Sequence, residues 1–294
     1  MKKTTLTLAL TILIFLLSGC GRSPEPAKIA ATTLPVYEFT TRICEGTGIT
    51  VTRLVTEEVS CLHDYSLNVR QVKAAEAAEL IVISGAGMEE FMEDILHDAA
   101  IIDASAGLEL LCPPEEAHHD HDHEEGHHHD VDPHIWLDPS YAAVMARNIF
   151  LGLSGMYPEY AEVFSANLEV LTAELAELDT YGKEMLKDLS CREMITFHDG
   201  FAYFAQAFDL TILEAVEEES GSEASARELI HLIEEVRHHG LPAVFTERNG
   251  STSAAAIIAA ETGAVSSALD MAMSGNSYFD AMYHNIDTVK EALQ

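Results

Sequence analysis

Basic residues are scarce in this chain. Its 294 residues include 16 lysines and arginines against 49 aspartates and glutamates, which gives a formal net charge of −33 at pH 7. Because phosphate backbones and anionic lipid surfaces are bound through Lys and Arg, this deficit argues against nucleic-acid binding and against a polybasic membrane-binding surface. An acidic surface instead attracts cations and raises their local concentration, although solubility alone is an alternative explanation.

The sequence motifs of common enzyme classes are missing. No H-E-x-x-H, G-x-S-x-G or Walker A sequence occurs, and the SGAG stretch at residues 84–87 fails as a dinucleotide-binding fingerprint because Glu90 replaces the third glycine. A three-histidine zinc site with a bound water could hydrolyse a substrate. The sequence offers no obvious general base beside the candidate ligands described below, so we expect a protein that is not an enzyme.

Cysteines are also few, and none forms a C-x-x-C motif. This spacing argues against a zinc finger and against a thioredoxin-type redox site. Four of the cysteines could form disulfides outside the cytoplasm, in three alternative pairings, or remain free thiols in a reducing habitat. These four are Cys44, Cys61, Cys112 and Cys191.

Long apolar runs are confined to the N-terminus. Two lysines precede an apolar stretch over residues 6–17, which is too short to span a bilayer and is typical of a signal peptide. Small residues then precede Cys20, which is the pattern that lipoprotein signal peptidase cleaves. We therefore predict a signal peptide over residues 1–19, a lipid on Cys20 and a flexible tether over residues 20–27, with an ordinary cleaved signal as the alternative. Apart from the lipid, we expect the mature protein to be soluble.

The remaining chain alternates strand-like and helix-like patterns, which is typical of parallel sheets covered by helices on both faces. An apolar stripe from Pro158 to Leu189 predicts one helix of roughly 32 residues, about 48 Å long, which is too long for a crossover between strands. We therefore predict an α/β fold of two Rossmann-like lobes, residues 28–154 and 191–294, joined by a spine helix within residues 155–190. The predicted strands cover residues 28–33, 49–55, 80–84, 100–103, 193–197, 211–216, 243–246 and 264–269, and helices are predicted between them, one of them over residues 88–97.

A histidine-rich segment covers residues 117–130. Between His118 and Asp130 it contains seven histidines, five carboxylates and one glycine. Such a composition cannot build a packed core, so we predict a disordered loop that binds metal with low affinity. A tolerated disordered insertion without function is the alternative. The histidines concerned are His118, His119, His121, His123, His127, His128 and His129.

Four further residues follow strands or enter ordered structure. His63 lies after the second predicted strand, His134 follows the histidine-rich loop, and His198 and Asp270 directly follow strands of the second lobe. Each one alone is more often a surface or capping residue. Because open α/β sheets bind ligands at the carboxyl ends of their strands, we predict that all four bind one metal ion in the inter-lobe cleft.

Three imidazoles and one carboxylate favour zinc, because Zn²⁺ takes four nitrogen, sulfur or oxygen ligands in tetrahedral geometry. Manganese would favour more oxygen ligands. Metal-binding histidines usually donate their other ring N–H to an acceptor. The candidate acceptors are Asp132, Asp199 and Glu247.

These residues lie in motifs that resemble the zinc/manganese substrate-binding lipoproteins of bacterial ABC importers, the cluster A-I receptors, and especially their zinc branch. The resemblance covers nearly all of residues 28–294. Its most specific parts are HDYSL from His63, GAGMEEFM from Gly85, DPHIWLDP from Asp132, FHDGFAYF from Phe197, and Leu269-Asp270.

The resemblance implies the ligand set His63, His134, His198 and Asp270. Manganese members commonly have a carboxylate at the third position, so His198 and the histidine-rich loop both favour zinc. The sequence departs from the family in having Leu62 where many members have proline, with Cys61 beside it, and Met271 in place of the usual proline. Water could therefore replace Asp270 as the fourth ligand.

The implied function is an extracytoplasmic, lipid-anchored and monomeric receptor on the bacterial cell membrane, periplasmic or at the outer surface. It would capture Zn²⁺ and deliver the ion to an ABC permease and its ATPase, with only a modest movement on release. Three alternatives use the same scaffold: a manganese receptor, a surface adhesin active in cell adhesion, and a zinc-buffering lipoprotein.

Overall fold

A computed structural model describes residues 28–59, 62, 65–97, 99–112, 131–216 and 224–294. The predicted signal peptide, Cys20, the tether and the histidine-rich loop lie outside these residues. So do Cys61, His63 and Asp64.

The first lobe contains a sheet of four parallel strands in the order β2-β1-β3-β4. β1 and β3 lie at its centre, and their Ile, Leu, Val and Ala side chains are mostly buried, as a sheet covered on both faces requires. The strands are β1 (Lys28–Ala31), β2 (Thr50–Arg53), β3 (Leu80–Ile83) and β4 (Ile101–Asp103).

The second lobe repeats this topology. Its sheet has the order β6-β5-β7-β8, and all four strands are parallel. In both sheets the strand order reverses beside the first strand of the lobe, so each lobe has a crevice at the carboxyl ends of its strands there. The strands are β5 (Glu193–Thr196), β6 (Thr211–Ala215), β7 (Ala243–Glu247) and β8 (Val265–Leu269).

Helices cover both sheets in the described part of the chain. In the first half they are α1 (Leu34–Ile43), α2 (Val69–Glu76), α3 (Glu93–Leu96), α4 (Pro139–Met156) and α5 (Ala161–Leu186). In the second half they are α6 (Ala202–Ala207), α7 (Ala226–His239), α8 (Ser253–Thr262) and α9 (Tyr278–Leu293).

The spine helix α5 is shorter than predicted, with 26 residues, or about 39 Å. Pro158–Tyr160 forms a separate 3₁₀ turn before it. At its other end, Arg192 Nη2 donates hydrogen bonds to the carbonyls of Leu186 (2.8 Å) and Lys187 (2.9 Å). These bonds satisfy carbonyl groups that the end of a helix leaves without partners, so the helix ends before the apolar stripe does.

The prediction of one continuous helix over residues 88–97 is wrong. The segment contains a 3₁₀ turn, Glu90–Met92, followed by the single-turn helix α3. The Glu89 carboxylate accepts hydrogen bonds from the backbone N–H groups of Ser84 (2.7 Å) and Gly85 (3.0 Å). This contact fixes the preceding turn and delays the start of the helix. The other strands and helices lie where the pattern predicts them, with ends shifted by a few residues.

The predicted fold class is confirmed: two α/β lobes with parallel sheets are joined by one long helix. The boundaries at residues 28–154, 155–190 and 191–294 stay predictions. A single apolar cluster extends through both lobes and the spine. It includes Ile29, Val82 and Trp136 from the first lobe, Leu175 from α5, and Met194, Phe204 and Phe245 from the second lobe.

Two further features concern the membrane and the cysteines. Within the described ranges, no helix is long and apolar enough to cross a membrane. Cys44, Cys112 and Cys191 are free thiols, so no disulfide joins any two of these three residues, and for them the alternative of free thiols holds. Burial raises the pKa of the Cys44 thiol to about 12, which keeps this side chain protonated and unreactive at neutral pH.

Candidate metal centre

His134 is buried at the start of the 3₁₀ turn Ile135–Leu137 in the first lobe, with only 2% of its surface exposed. Two contacts with Asp132 fix the position of His134. Asp132 Oδ1 accepts a hydrogen bond from the His134 backbone N–H (2.9 Å) and lies 2.8 Å from Nδ1 of the ring. A carboxylate at Nδ1 holds the proton on that nitrogen, which leaves Nε2 to bind a metal ion.

His198 follows β5 of the second lobe and lies against His134. The two ring centroids are 5.3 Å apart, and the rings meet edge to face. His198 Nδ1 lies 3.8 Å from Oε1 of Glu247, the buried last residue of β7. The cleft thus brings together one imidazole from each lobe, each with a buried carboxylate near its Nδ1.

Gly200 leaves room for the His198 ring. A Cβ atom at this position would lie 2.6 Å from His198 Cδ2 and 2.6 Å from Met271 Cε. Both distances are far below van der Waals contact, so any larger side chain at Gly200 would displace the imidazole. Met271 directly follows Asp270, and the segment after β8 therefore lies close to His198.

Asp270 is held firmly through its backbone. The buried Asn285 side chain accepts a hydrogen bond from Asp270 N (2.7 Å) and donates one to Asp270 O (2.7 Å). The carboxylate has partners within its own lobe: Oδ1 accepts from Ala272 N (2.8 Å), and Oδ2 lies 3.1 Å from Arg248 Nη1. A small cleft opens beside this pair. It is lined by Val59 of the first lobe and, from the second lobe, by Glu247, Arg248, Asn249, Asp270, Met271 and Ser274.

The four predicted ligands therefore have different outcomes in the structure. His134 and His198 are in contact, Asp270 lies at the edge of the same cleft, and His63 is outside the described residues. Among the residues that the structure describes, no three His, Cys, Asp or Glu side chains are close enough to hold a metal ion. Whether these four residues form one site stays a prediction.

Of the predicted acceptors, Asp132 contacts His134, Glu247 lies near His198, and Asp199 is exposed. The sequence interpretation missed Arg248 and Asn285. The sequence contained a weak indication of Arg248, because this residue directly follows Glu247 at the end of a strand. It contained none of Asn285, since this residue lies within the last helix, and only the packing of that helix brings it to Asp270.

The sequence matches the family model of the periplasmic zinc-uptake complex component A, ZnuA, over residues 29–292. The zinc-binding lipoprotein AdcA of Streptococcus pneumoniae (strain ATCC BAA-255 / R6) is 29% identical over 307 residues, covering 99% of this chain and 61% of AdcA. The chain thus spans about three-fifths of the length of this curated relative.

Solved structures show the same similarity. The crystal structure of ZnuA has a TM-score of 0.78 at 28% identity and covers 92% of this chain and 100% of that chain. The Zn(II)-bound ZnuA-like domain of Streptococcus pneumoniae AdcA has a TM-score of 0.76 at 25% identity and covers 92% of this chain and 99% of that domain. The match over residues 29–292 shows that the chain belongs to the ZnuA family of zinc-uptake complex components, and the contact between a histidine of each lobe agrees with it.

Proposed function

We propose that this protein captures Zn²⁺ in the inter-lobe cleft and delivers it to an ABC permease with its ATPase. The observation that carries the proposal is the contact between His134 and His198, which come from different lobes. The buried carboxylates of Asp132 and Glu247 lie near their Nδ1 atoms. Imidazoles oriented by carboxylates are characteristic of zinc sites.

His63 and Asp270 complete the proposed ligand set. The described residues before and after His63 are joined by hydrogen bonds. Tyr65 donates a hydrogen bond from its hydroxyl to Glu57 (2.7 Å), and Gln71 Nε2 donates to Glu57 (2.8 Å) and to the carbonyl of Leu54 (2.8 Å). Val59 of this loop lines the cleft beside Asp270, which supports the placement of His63 at the same cleft.

The family is a receptor component of an uptake system, and we propose that the protein has no catalytic activity. We further propose that a lipid on Cys20 anchors it at the outer face of the cell membrane as a monomer. We also propose that the histidines of residues 117–130 collect zinc loosely. Zinc is favoured over manganese because two imidazoles form the described part of the proposed site.

A calorimetric zinc titration in the presence of competing manganese tests the proposal. We expect one tight zinc site that survives deletion of residues 117–130. His134→Ala and His198→Ala should each weaken zinc binding by at least about 100-fold, because each ligand contributes a few kcal/mol to the binding free energy. His231→Ala is the matched control, since His231 is an exposed histidine that contacts Glu214 (2.6 Å) on the surface of the second lobe.

Loss of all tight binding on deletion of residues 117–130, with binding intact in His134→Ala and His198→Ala, would contradict the proposal. The site would then lie in the histidine-rich segment. A zinc-buffering lipoprotein would become the better interpretation.

A further inference from the structure

The carboxylate of Asp270 already has a cationic partner at the edge of the cleft. Arg248 Nη1 lies 3.1 Å from Asp270 Oδ2. Arg248 follows the last residue of β7, and its backbone N–H donates to the carbonyl of Leu269 (2.8 Å), the residue before Asp270. The two residues are thus held side by side on neighbouring strands. A metal ion that used Oδ2 would have to take the place of the guanidinium.

Hydrogen bonds hold the backbone of Asp270 in place, so only its side chain can move when a metal ion replaces the guanidinium. Asn285, which is fully buried, binds both the N–H and the carbonyl of Asp270. The next residue is also fixed, because Trp136 Nε1 donates to the carbonyl of Met271 (2.7 Å). The backbone therefore stays in place and Oδ1 keeps its hydrogen bond from Ala272 N (2.8 Å), while Oδ2 can exchange the guanidinium for a metal ion.

Arg248 is free to leave the carboxylate. Its side chain is 61% exposed, against 17% for Asp270. Ion pairs in such exposed positions are weak, because water and salt screen the charges and because a long side chain loses freedom when it is held. The guanidinium is thus a reversible partner whose departure into solvent has a small cost.

We propose that Arg248 is a displaceable counter-cation of Asp270 that competes with the metal ion for the carboxylate. This inference rests on the proposed function, in which Asp270 is a ligand of the cleft. A metal ion that binds through Oδ2 must break the Arg248–Asp270 pair, which lowers the affinity. The pair re-forms as the metal ion leaves, which speeds release. A receptor that hands its ion to a transporter needs a site of this kind, with limited affinity and rapid release.

The test is a double-mutant cycle on the purified protein with Zn²⁺ as the probe. Zinc affinity is measured by competition with a chromogenic chelator, and the dissociation rate by stopped-flow mixing. The variants are Arg248→Ala, Asp270→Asn and the combination of both. Arg237→Ala is the matched control, because Arg237 is similarly exposed (54%) and lies 3.6 Å from a carboxylate oxygen of Glu261. Arg237 lies near the end of α7, just before β7 begins, and therefore at the opposite edge of the same sheet from Arg248.

We expect Arg248→Ala to bind zinc about two- to fivefold more tightly, as the strength of exposed ion pairs predicts, and to release it more slowly. Arg237→Ala should behave like the unmodified protein. In the Asp270→Asn background, Arg248→Ala should have no effect, since the carboxylate that it competes for is gone. A general effect of removing positive charge near the cleft would instead persist in that background.

Unchanged or weaker zinc binding in Arg248→Ala would overturn the inference, as would an equal gain in the Asp270→Asn background. The proposed function fails by a different result, namely tight binding that survives His134→Ala and His198→Ala. If those two variants lose zinc while Arg248→Ala gains nothing, only the role of Arg248 is wrong.

Discussion

At the scale of single residues, the nearest carboxylate decides what a histidine of this cleft can do. Asp132 lies 2.8 Å from Nδ1 of His134, and Glu247 lies 3.8 Å from Nδ1 of His198. Only the Asp132 contact is within hydrogen-bond distance, so it orients the His134 ring, whereas Glu247 places a buried negative charge near the His198 ring. Without Asp132, the His134 ring would lose the hydrogen-bond partner that fixes its tautomer and its orientation.

A third buried carboxylate, Glu89, belongs to the fold of the first lobe. Its carboxylate accepts hydrogen bonds from the Thr32 hydroxyl (2.6 Å) and from the backbone N–H groups of Ser84 and Gly85. These bonds tie together the carboxyl ends of β1 and β3. Burial nevertheless raises the pKa of Glu89 from its ordinary value of 4.5 to about 7, because the hydrogen bonds to the charged form only partly offset its desolvation.

Glu89 should make the stability of the protein depend on pH. Since its pKa is higher in the folded than in the unfolded state, the folded state binds the extra proton between pH 4.5 and about 7. Its contribution is complete below pH 4.5 and is lost as the pH rises through about 7, amounting to about 3 kcal/mol in the free energy of unfolding.

Urea unfolding at pH 5 and pH 8 measures this effect in the unmodified protein and in Glu89→Gln. The glutamine cannot ionise, so the loss of stability between the two pH values should be smaller in the variant by about 3 kcal/mol. Comparing the change in unfolding free energy between the two pH values removes the contributions of the histidines, which both proteins share. An equal change in unfolding free energy in both proteins would show that Glu89 does not titrate in this range.

At the scale of elements, the spine helix α5 packs against the second lobe through Gly182. Glycine inside a helix usually lowers stability, and replacing it by alanine stabilises an exposed helix by about 1 kcal/mol. A Cβ at Gly182, however, would collide with the ring of Phe208, which follows α6. The absence of a side chain at Gly182 therefore allows the spine helix to pack closely against Phe208 at the end of α6. The helix continues past this glycine to Leu186.

Gly182→Ala should therefore destabilise the protein by about 1–3 kcal/mol, because overpacking outweighs the gain in helix propensity. Gly155→Ala in α4 is the control, since this exposed glycine has nothing within 4 Å of the position of a Cβ. That variant should gain about 0.5–1 kcal/mol. Denaturant melts of both proteins measure the difference, and a stabilised Gly182→Ala variant would show that the Phe208 ring moves aside at little cost.

At the scale of the whole molecule, a segment of the second lobe binds the first lobe directly. We call residues 271–278 the inter-lobe strap. Three of its carbonyls accept hydrogen bonds from the first lobe, and Tyr278 donates its hydroxyl to the carbonyl of Trp136 (2.8 Å). The three bonds run from Trp136 Nε1 to Met271 O (2.7 Å), from Leu34 N to Met273 O (3.1 Å) and from Arg53 Nη1 to Gly275 O (2.8 Å).

The strap and the shared apolar core should make both lobes unfold together. The chain has one tryptophan, Trp136, so its fluorescence reports the inter-lobe contact, while far-UV circular dichroism reports the helices of both lobes. The two urea transitions should coincide. Tyr278→Phe should shift both equally, with a loss of about 1–2 kcal/mol, because the buried Trp136 carbonyl loses its hydroxyl donor. Separate transitions would mean that the lobes unfold independently.

The sequence by itself determined the elements and the edge of the sheet at which the candidate residues lie. Strand and helix periodicity are local properties, and so are caps: Asp138 accepts from Ser140 N (2.7 Å) at the start of α4, as the Asp-Pro sequence indicates. The carboxyl ends of parallel strands share one edge, so His198 and Asp270 could be assigned to it without coordinates. Acidic composition and histidine content indicated a cation as the ligand.

Only the tertiary structure decided which of these residues meet. The contact between His134 and His198 depends on the angle between the lobes, which the strap and the core fix. Arg248 reaches Asp270 because β7 and β8 are neighbours, and Asn285 reaches it because α9 packs on β8. The turn at Glu89 stands where a helix is predicted because the buried carboxylate accepts from Ser84 N just before it and from the Thr32 hydroxyl after β1. Apart from the bonds of Glu89 to Ser84 and Gly85, these contacts join residues far apart in sequence, and no local pattern encodes the packing that brings them together.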